Sequence, residues 1–240
     1  LKIFDMIYKR NIKNLIQFRN SLILSKSKEQ KEIKSILKWK NNLQKKVEVV
    51  SKIIDLDKCN DWFLDKRKNL YHKSGQFFKV RAVQTSGAKN REVKSWTQPI
   101  LTQKHGGVLA FICRETKKFG IEFLIDAKIE PGDDSLLKIS PSFQATQSNM
   151  NQAHGGNKPK FYDIVIQLKK AKLIYYTIHN EEGARFWKKS NWNVIVKLDN
   201  PYDKRIKGKN YKWASLCQIK KLSLKSRLVN PFVKTILFMI

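Results

Sequence analysis

Lys128 and Glu130 lie two residues apart in FLIDAKIE, Phe123 to Glu130, a segment whose side chains alternate in character. As a strand it turns Phe123, Ile125, Ala127 and Ile129 one way and Asp126, Lys128 and Glu130 the other. The α-carbons of Lys128 and Glu130 are then about 7 Å apart. That is close enough for the ammonium to hold the carboxylate ionised or to donate to a developing oxyanion. It equally suits a surface ion pair contributing about 0–1 kcal/mol. After a turn at Pro131-Gly132-Asp133-Asp134, ISPSFQATQS alternates again, with Ser140, Ser142, Gln144, Thr146 and Ser148 on one side and Pro141, Phe143 and Ala145 on the other. Asn149, His154 and the pair Gly155-Gly156 follow. A solvated sheet face also alternates, but such a face is usually Lys, Glu and Thr. Hydroxyls and amides in series are the neutral donors and acceptors that hold sugar hydroxyls and phosphates. His154 carries the side chain whose reference pKa, about 6.5, suits a proton shuttle, although a loop histidine is more often merely exposed. His72, in YHKSGQFF, is a second acid–base candidate on the same terms.

The elements that position these groups change in kind along the chain. Residues 1 to about 52 read as helical, with Ile3, Ile7, Leu15 and Phe18 on one apolar side and Ile33, Ile36, Leu37, Leu43, Val47 and Val50 on a second, broken at SKSKEQKE. From Gly75 onward the pattern predicts strands at QFFKVRAVQ, GVLAFICR, FGIEFLIDAKIE, LLKISPSFQAT, YDIVIQL, KLIYYTI and NVIVKL, separated by turns such as SGAKN, KHGG and HGGNKP. EEGARFWKK and WASLCQIKKLSLKS read as helices. Strands followed by segregated helices give an α+β fold, with residues 1–58 as a basic helical arm and 59–240 as one domain.

Composition narrows the function classes. The 49 Lys and Arg against 20 Asp and Glu leave a net charge of +29, which suits a polyanion or an anionic small molecule. Most of the basic residues are Lys in an Asn- and Ile-rich chain, as AT-rich coding produces. Zinc-finger spacing, an RNP-like aromatic motif and a helix-turn-helix pattern are all missing, so a nucleic-acid partner ranks well below a small anion. Cys59, Cys113 and Cys217 are distant in sequence and odd in number, and His72, His105, His154 and His179 form no HxxxH or HExxH pair. Neither a disulfide framework nor a metal site is indicated, and a reducing cytoplasm is the expected setting. The apolar N-terminal residues are interrupted by Lys9, Arg10, Lys13 and Arg19, and TILFMI is too short to span, so no membrane segment is expected.

From Gly120 to Tyr162 the chain resembles the first repeat of the NDP-hexose 2,3-dehydratases. The resemblance continues in Asp61-Trp62, HKSGQFFKVRAV (His72–Val83), WTQPIL (Trp96–Leu101), GGVLAFICR (Gly106–Arg114), EEGARFW (Glu181–Trp187), Asn191, Asn193, WASLCQIKKL and LVNPFVKTIL. It runs from about residue 59 to the C-terminus. The family carries two such repeats, each resembling the Nudix hydrolase fold, and its members are homodimers. One repeat is present here, which implies a half enzyme, a fragment or one member of a split pair. Leu1 in place of Met fits an incomplete reading frame. The Nudix catalytic box is absent, since Arg91-Glu92-Val93 is followed by no further carboxylates, so pyrophosphate hydrolysis is disfavoured.

The resemblance implies a Nudix-like mixed sheet with flanking helices and a lyase acting on an NDP-4-keto-6-deoxyhexose, with the dTDP-linked glucose derivative as the expected substrate. A base removes the C3 proton next to the C4 ketone, the enolate is stabilised, and the 2-hydroxyl leaves with help from an acid. That chemistry asks for no redox cofactor or metal. Glu130, Lys128, His154 and His72 become the catalytic candidates, and Trp96, Gln98, Gln144, Thr146, Ser148, Asn149, Gly155 and Gly156 the substrate-binding set. The partner implied is a second copy or a chain bearing the second repeat, and the alternative function is a non-catalytic sugar-nucleotide-binding half. Four positions depart from the family: Gln147 stands in place of Arg, Met150 of an aromatic, Asp133 of Asn, and Asp126 of Gln.

Overall fold

A computed structural model of the chain describes residues 11–24, 32–133, 136–181, 185–238 and 240. The break expected at SKSKEQKE falls almost wholly outside them, as do Ile3, Ile7 and Asp134. The helices α1 (Asn11–Leu24) and α2 (Lys34–Gln44) come first. They are followed by the strands β1 (Trp62–Leu64), β2 (Leu70–His72), β3 (Lys79–Thr85) and β4 (Trp96–Thr102), which form an antiparallel sheet in that order. Next come β5 (Gly107–Thr116), β6 (Gly120–Lys128), β7 (Lys138–Pro141), β8 (Phe143–Thr146), a helical turn α3 (Gln147–Met150) and a second, α4 (Tyr162–Val165). The chain closes with β9 (Ala171–Asn180), β10 (Ser190–Leu198), β11 (Tyr211–Ser215), α5 (Leu216–Ser223) and α6 (Pro231–Leu237). The architecture is α+β.

The second sheet has the order β11-β6-β5-β10-β9, with β7 paired to β6 and β8 to β5. It is mixed, because β5 and β10 run parallel while the other pairs are antiparallel. GVLAFICR sits at its centre and is apolar from Gly107 to Cys113 because both faces are covered there. Leu109, Phe111 and Cys113 join one core with Phe18, Ile36, Ile219, Val233 and Ile236 of the helices, whereas Val108, Ala110 and Ile112 join another with Phe143, Phe161, Ile164 and Val165. Phe18 meets Phe123 edge-on at 6.1 Å, so the N-terminal helices are built into the first core. Local chemistry fixes the closing helices: Ser215 and Gln218 form a reciprocal cap on α5, and Asn230 with Pro231 opens α6.

The segment predicted as one strand, LLKISPSFQAT, changes partners midway. Lys138–Pro141 pairs with β6 and Phe143–Thr146 continues into pairing with β5. Ser142 stands at the break, where its hydroxyl accepts from Ile112 N–H at 2.7 Å and donates to Ala110 C=O at 3.3 Å. A side chain thus replaces a missing ladder rung inside the protein.

Four expectations are corrected. The helical reading to about residue 52 ends at Gln44, and Val47 and Val50 lie in non-helical chain. YDIVIQL begins with α4 rather than a strand: Phe161 takes a left-handed φ of 65° and turns Ile164 and Val165 into the second core. Short apolar runs fit a buried helical turn as well as a strand. EEGARFWKK is not helical over its described residues, because Leu101 N–H donates to Arg185 C=O and Trp187 N–H donates to Leu101 C=O, docking the segment onto β4. In WASLCQIKKLSLKS the first three residues are strand, paired with β6, and the helix starts at Leu216. Among the described residues no helix is long and apolar enough to cross a membrane.

Candidate functional site

The polar face of β6 looks into a cleft of about 260 Å³ on the second-core side. Its walls are Asp126 and Lys128 of β6, Ser142, Phe143 and Gln144 of the β7–β8 segment, Asn149 of α3, His154 beyond it, Lys160, and Tyr211 of β11. The structure therefore brings together Lys128, Gln144, Asn149 and His154 from the predicted set. Glu130 is joined to the same wall: its Oε1 lies 2.8 Å from Lys128 Nζ and accepts from Gln144 Nε2 at 3.2 Å. In His154, Nδ1 accepts the Gly156 N–H at 2.9 Å, so the neutral ring carries its proton on Nε2 and can only donate there. Gly156 has to be glycine for this contact, since a Cβ would lie 2.7 Å from that same Nδ1.

Asp126 is the carboxyl at the base of the cleft, 8% exposed. Asn210 Nδ2 donates to its Oδ1 at 2.5 Å. Burial pushes its pKa from 3.8 up to about 6, against the pull of the Asn210 hydrogen bond and of Lys128 and Lys160. Tyr211, opposite Asp126 in the sheet register, is pushed up to about 12, first by burial and then by the Asp126 charge. Lys160 stacks over the Tyr211 ring with Nζ 4.4 Å from its centroid and donates to Lys207 C=O. Ser140 Oγ and Gln144 Oε1 are buried without a hydrogen-bond partner among the described residues. Of these two residues, Gln144 belongs to the cleft wall.

The remaining predicted residues sit elsewhere. Thr146 caps α3 through Asn149 N–H at 3.3 Å, and its Oγ1 lies 2.8 Å from Ser148 Oγ. Ser148 faces a second, larger cleft of about 530 Å³, together with Gln147 and Asn151 and across from Lys79, Lys104 and His105. His72 lies in the aromatic cluster of the small sheet, edge-on to Trp62 at 5.5 Å and Phe77 at 4.6 Å, with Nδ1 bonded to Ser74. Trp96 donates to Gln98 Oε1 at 2.8 Å on β4, and neither lines either of these two clefts. Gly155 supports the loop with a φ of +71°.

A sequence model of NDP-hexose 2,3-dehydratases matches residues 33–240, the whole chain after α1 and the break that follows it. The chain belongs to the NDP-hexose 2,3-dehydratase family. The match starts earlier than the motifs suggested and takes in α2, whose Ile36 is buried in the first core. Similar proteins include the dTDP-4-dehydro-6-deoxy-alpha-D-glucopyranose 2,3-dehydratases of Saccharopolyspora spinosa (30% identity over 185 residues), Amycolatopsis orientalis (32% over 190) and Streptomyces violaceoruber (28% over 186). The alignments cover 76–77% of this chain but only 37–40% of those proteins. The chain thus spans about two fifths of the length of the curated relatives it matches.

Asp126, Asn210, Lys160 and Tyr211 of this family member were outside the predicted site. Asp126 was within reach of the sequence, because the alternation already put it on the face of Lys128 and Glu130. Asn210 and Tyr211 arrive through the β11–β6 pairing, 84 residues from Asp126 in the case of Asn210, and no local pattern signals that.

Proposed function

We propose that the chain is a single repeat of a sugar-nucleotide lyase that removes the 2-hydroxyl, as water, from an NDP-4-keto-6-deoxyhexose such as the dTDP-linked glucose derivative. The observation carrying this reading is the convergence, in a member of this family, of Asp126, Lys128, Gln144, Asn149 and His154 on one cleft, where Gln144 Oε1 is buried without a hydrogen-bond partner among the described residues. A ketone oxygen near Lys128 would meet an ammonium already placed by Glu130, which favours the enolate over the ketone. His154 Nε2–H suits donation to the departing 2-hydroxyl. Gln144 and Asn149 would bind sugar hydroxyls, the Gly155-Gly156 loop holds His154 in place, and Thr146 and Ser148 would act from the neighbouring cleft side of the α3 turn. Trp96, Gln98 and His72 enter the reaction only if a second chain closes over the small sheet.

A Nudix-like fold fits the mixed sheet flanked by helices. The division at residue 58 is kept for the repeat itself, with the arm folded onto it through Phe18 and Ile36. A homodimer, or a complex with a chain carrying the second repeat, would complete the assembly, and a cytoplasmic setting suits the free thiols Cys59, Cys113 and Cys217. The coverage of 37–40% of the relatives favours a second reading, a binding half that works with a separate catalytic chain.

Calorimetric titration with dTDP-4-keto-6-deoxyglucose, followed by NMR of the products, tests both readings. Binding with water loss, and a turnover cut by about 10²–10⁴-fold in Glu130→Gln or His154→Ala, supports the lyase. Binding without turnover under any pairing supports the binding half. Saturable duplex DNA binding at moderate salt without sugar-nucleotide binding refutes both.

A further inference from the structure

The larger cleft, of about 530 Å³, falls within the range of about 300–1,000 Å³ usual for small-molecule sites. Lys79, at the start of β3, and Lys104 and His105, after β4, line it together with Ser148 and Asn151 of the α3 turn and with Trp187. Among the described residues none that lines it is acidic, whereas Asp126 stands in the first cleft. The β3–β4 register sets Lys79 opposite Thr102, two residues before Lys104, so the small sheet itself brings the two lysine positions together. Lys128 is paired with Glu130, but Lys79 and Lys104 form no ion pair with a described residue. Trp187 is fixed by its main chain, through the N–H donated to Leu101 C=O at 2.7 Å, yet its side chain is 48% exposed. A half-exposed indole beside unpaired cations is a platform on which a planar ring can stack. Asn151 Oδ1 accepts from Gln147 Nε2 at 2.9 Å, which leaves the Asn151 amide hydrogens to donate to a ligand.

We infer that this second cleft binds a nucleoside diphosphate, with Lys79 and Lys104 holding the diphosphate, the Trp187 indole stacking on the base and Asn151 donating to the base edge or a sugar hydroxyl. Cations without a neighbouring carboxylate select an anion over a neutral sugar. The indole selects a ligand with a planar ring over inorganic phosphate or pyrophosphate, and the cleft is about twice the volume of the first. The nucleoside diphosphate has two possible sources. One is the nucleotide end of a sugar nucleotide whose hexose occupies the first cleft, an arrangement that the α3 turn favours because Asn149 lines one cleft and Ser148 the other. The other is a free nucleoside diphosphate bound on its own. The first source rests on the lyase reading; the site itself does not.

The test is calorimetric titration of the whole chain with dTDP, with inorganic pyrophosphate and thymidine as partial probes and circular dichroism as the control for folding. The expected result is tighter binding of dTDP than of either part. Lys79→Ala combined with Lys104→Ala should weaken dTDP binding by at least about tenfold, the loss that follows removal of a charge-assisted hydrogen bond. Trp187→Ala should weaken it by at least about fivefold, as loss of a stacked base does. Lys45→Ala combined with Lys46→Ala removes the same charge from exposed positions after α2 and should keep the wild-type affinity. Competition between dTDP and dTDP-4-keto-6-deoxyglucose, with the Lys79 and Lys104 variant weakened for both, assigns the cleft to the nucleotide end of the substrate; simultaneous binding of the two assigns it to a free nucleoside diphosphate. Wild-type dTDP affinity in the folded cleft variants overturns the inference, as does an equal loss in the Lys45 and Lys46 variant or a wild-type chain that does not bind dTDP. Failure of the lyase reading is separate: dTDP bound in this cleft, with no water lost from the 4-keto sugar, leaves the inference standing without that reading.

Discussion

Replacing Asp126 by Asn should leave stability unchanged near pH 4 and raise it above neutrality. The carboxyl is 8% exposed, and burial carries its pKa from 3.8 to about 6. Between those values the native state keeps a proton that the unfolded chain has released, so wild-type stability falls as pH rises through the interval and levels off above it. At 1.36 kcal/mol per pH unit, the ionised form costs about 3 kcal/mol by pH 7.5. Asn cannot ionise, and its side-chain oxygen can still accept the Asn210 amide bond. Urea unfolding of both proteins from pH 4 to 8 should therefore show the variant gaining on the wild type by about 3 kcal/mol, chiefly between pH 4 and 6.5. A difference that stays flat with pH, or wild-type stability that rises across the interval, would refute the claim that Asp126 is buried without enough compensation.

Two further outcomes concern the frame of the cleft. Ser142→Ala should cost about 2–4 kcal/mol, because it leaves Ile112 N–H and Ala110 C=O without their partner in a core closed to water; a shift in urea midpoint worth less than about 0.5 kcal/mol would show that the break is satisfied otherwise. Gly106→Ala should prevent accumulation of folded protein, since its Cβ would stand 1.7 Å from the Ser190 carbonyl oxygen, while Gly132→Ala, which meets nothing within 4 Å, should melt like the wild type; equal melting of all three proteins would refute the close approach of β5 and β10.

The central sheet was legible because β5 and β6 carry strong period-two or wholly apolar signals, and Phe123 and Ile125 pack where the alternation put them. The small sheet was only partly legible. Its strands β1 and β2 are three residues each, too short to establish a period, and β4 contains Pro99. In the site, Lys128 and Glu130 were readable from their spacing because both belong to one local segment and form the expected pair. Ser142 was read only as one hydroxyl on the polar side of an alternating run, and that pattern hides the change of partner that sends its hydroxyl into the main chain. The separation of Gln144, Asn149 and His154 from Thr146 and Ser148 depends on α3 folding between two clefts, and a periodic pattern written for a strand cannot express that turn.

The change of partner at Ser142 also governs how the site can vary. Below that point β5 and β6 are bonded to each other, through Cys113↔Phe123 and onward; above it they part, and the kinked β7–β8 segment fills the fork. The cleft lies against this fork, so its width follows from main-chain hydrogen bonds rather than from the bulk of the residues lining it. Side chains along β6 can then be exchanged without the walls collapsing or spreading. The carboxyl at position 126 then sets the chemistry of the wall within a fixed mould, and reactivity there can be retuned without rebuilding the fold.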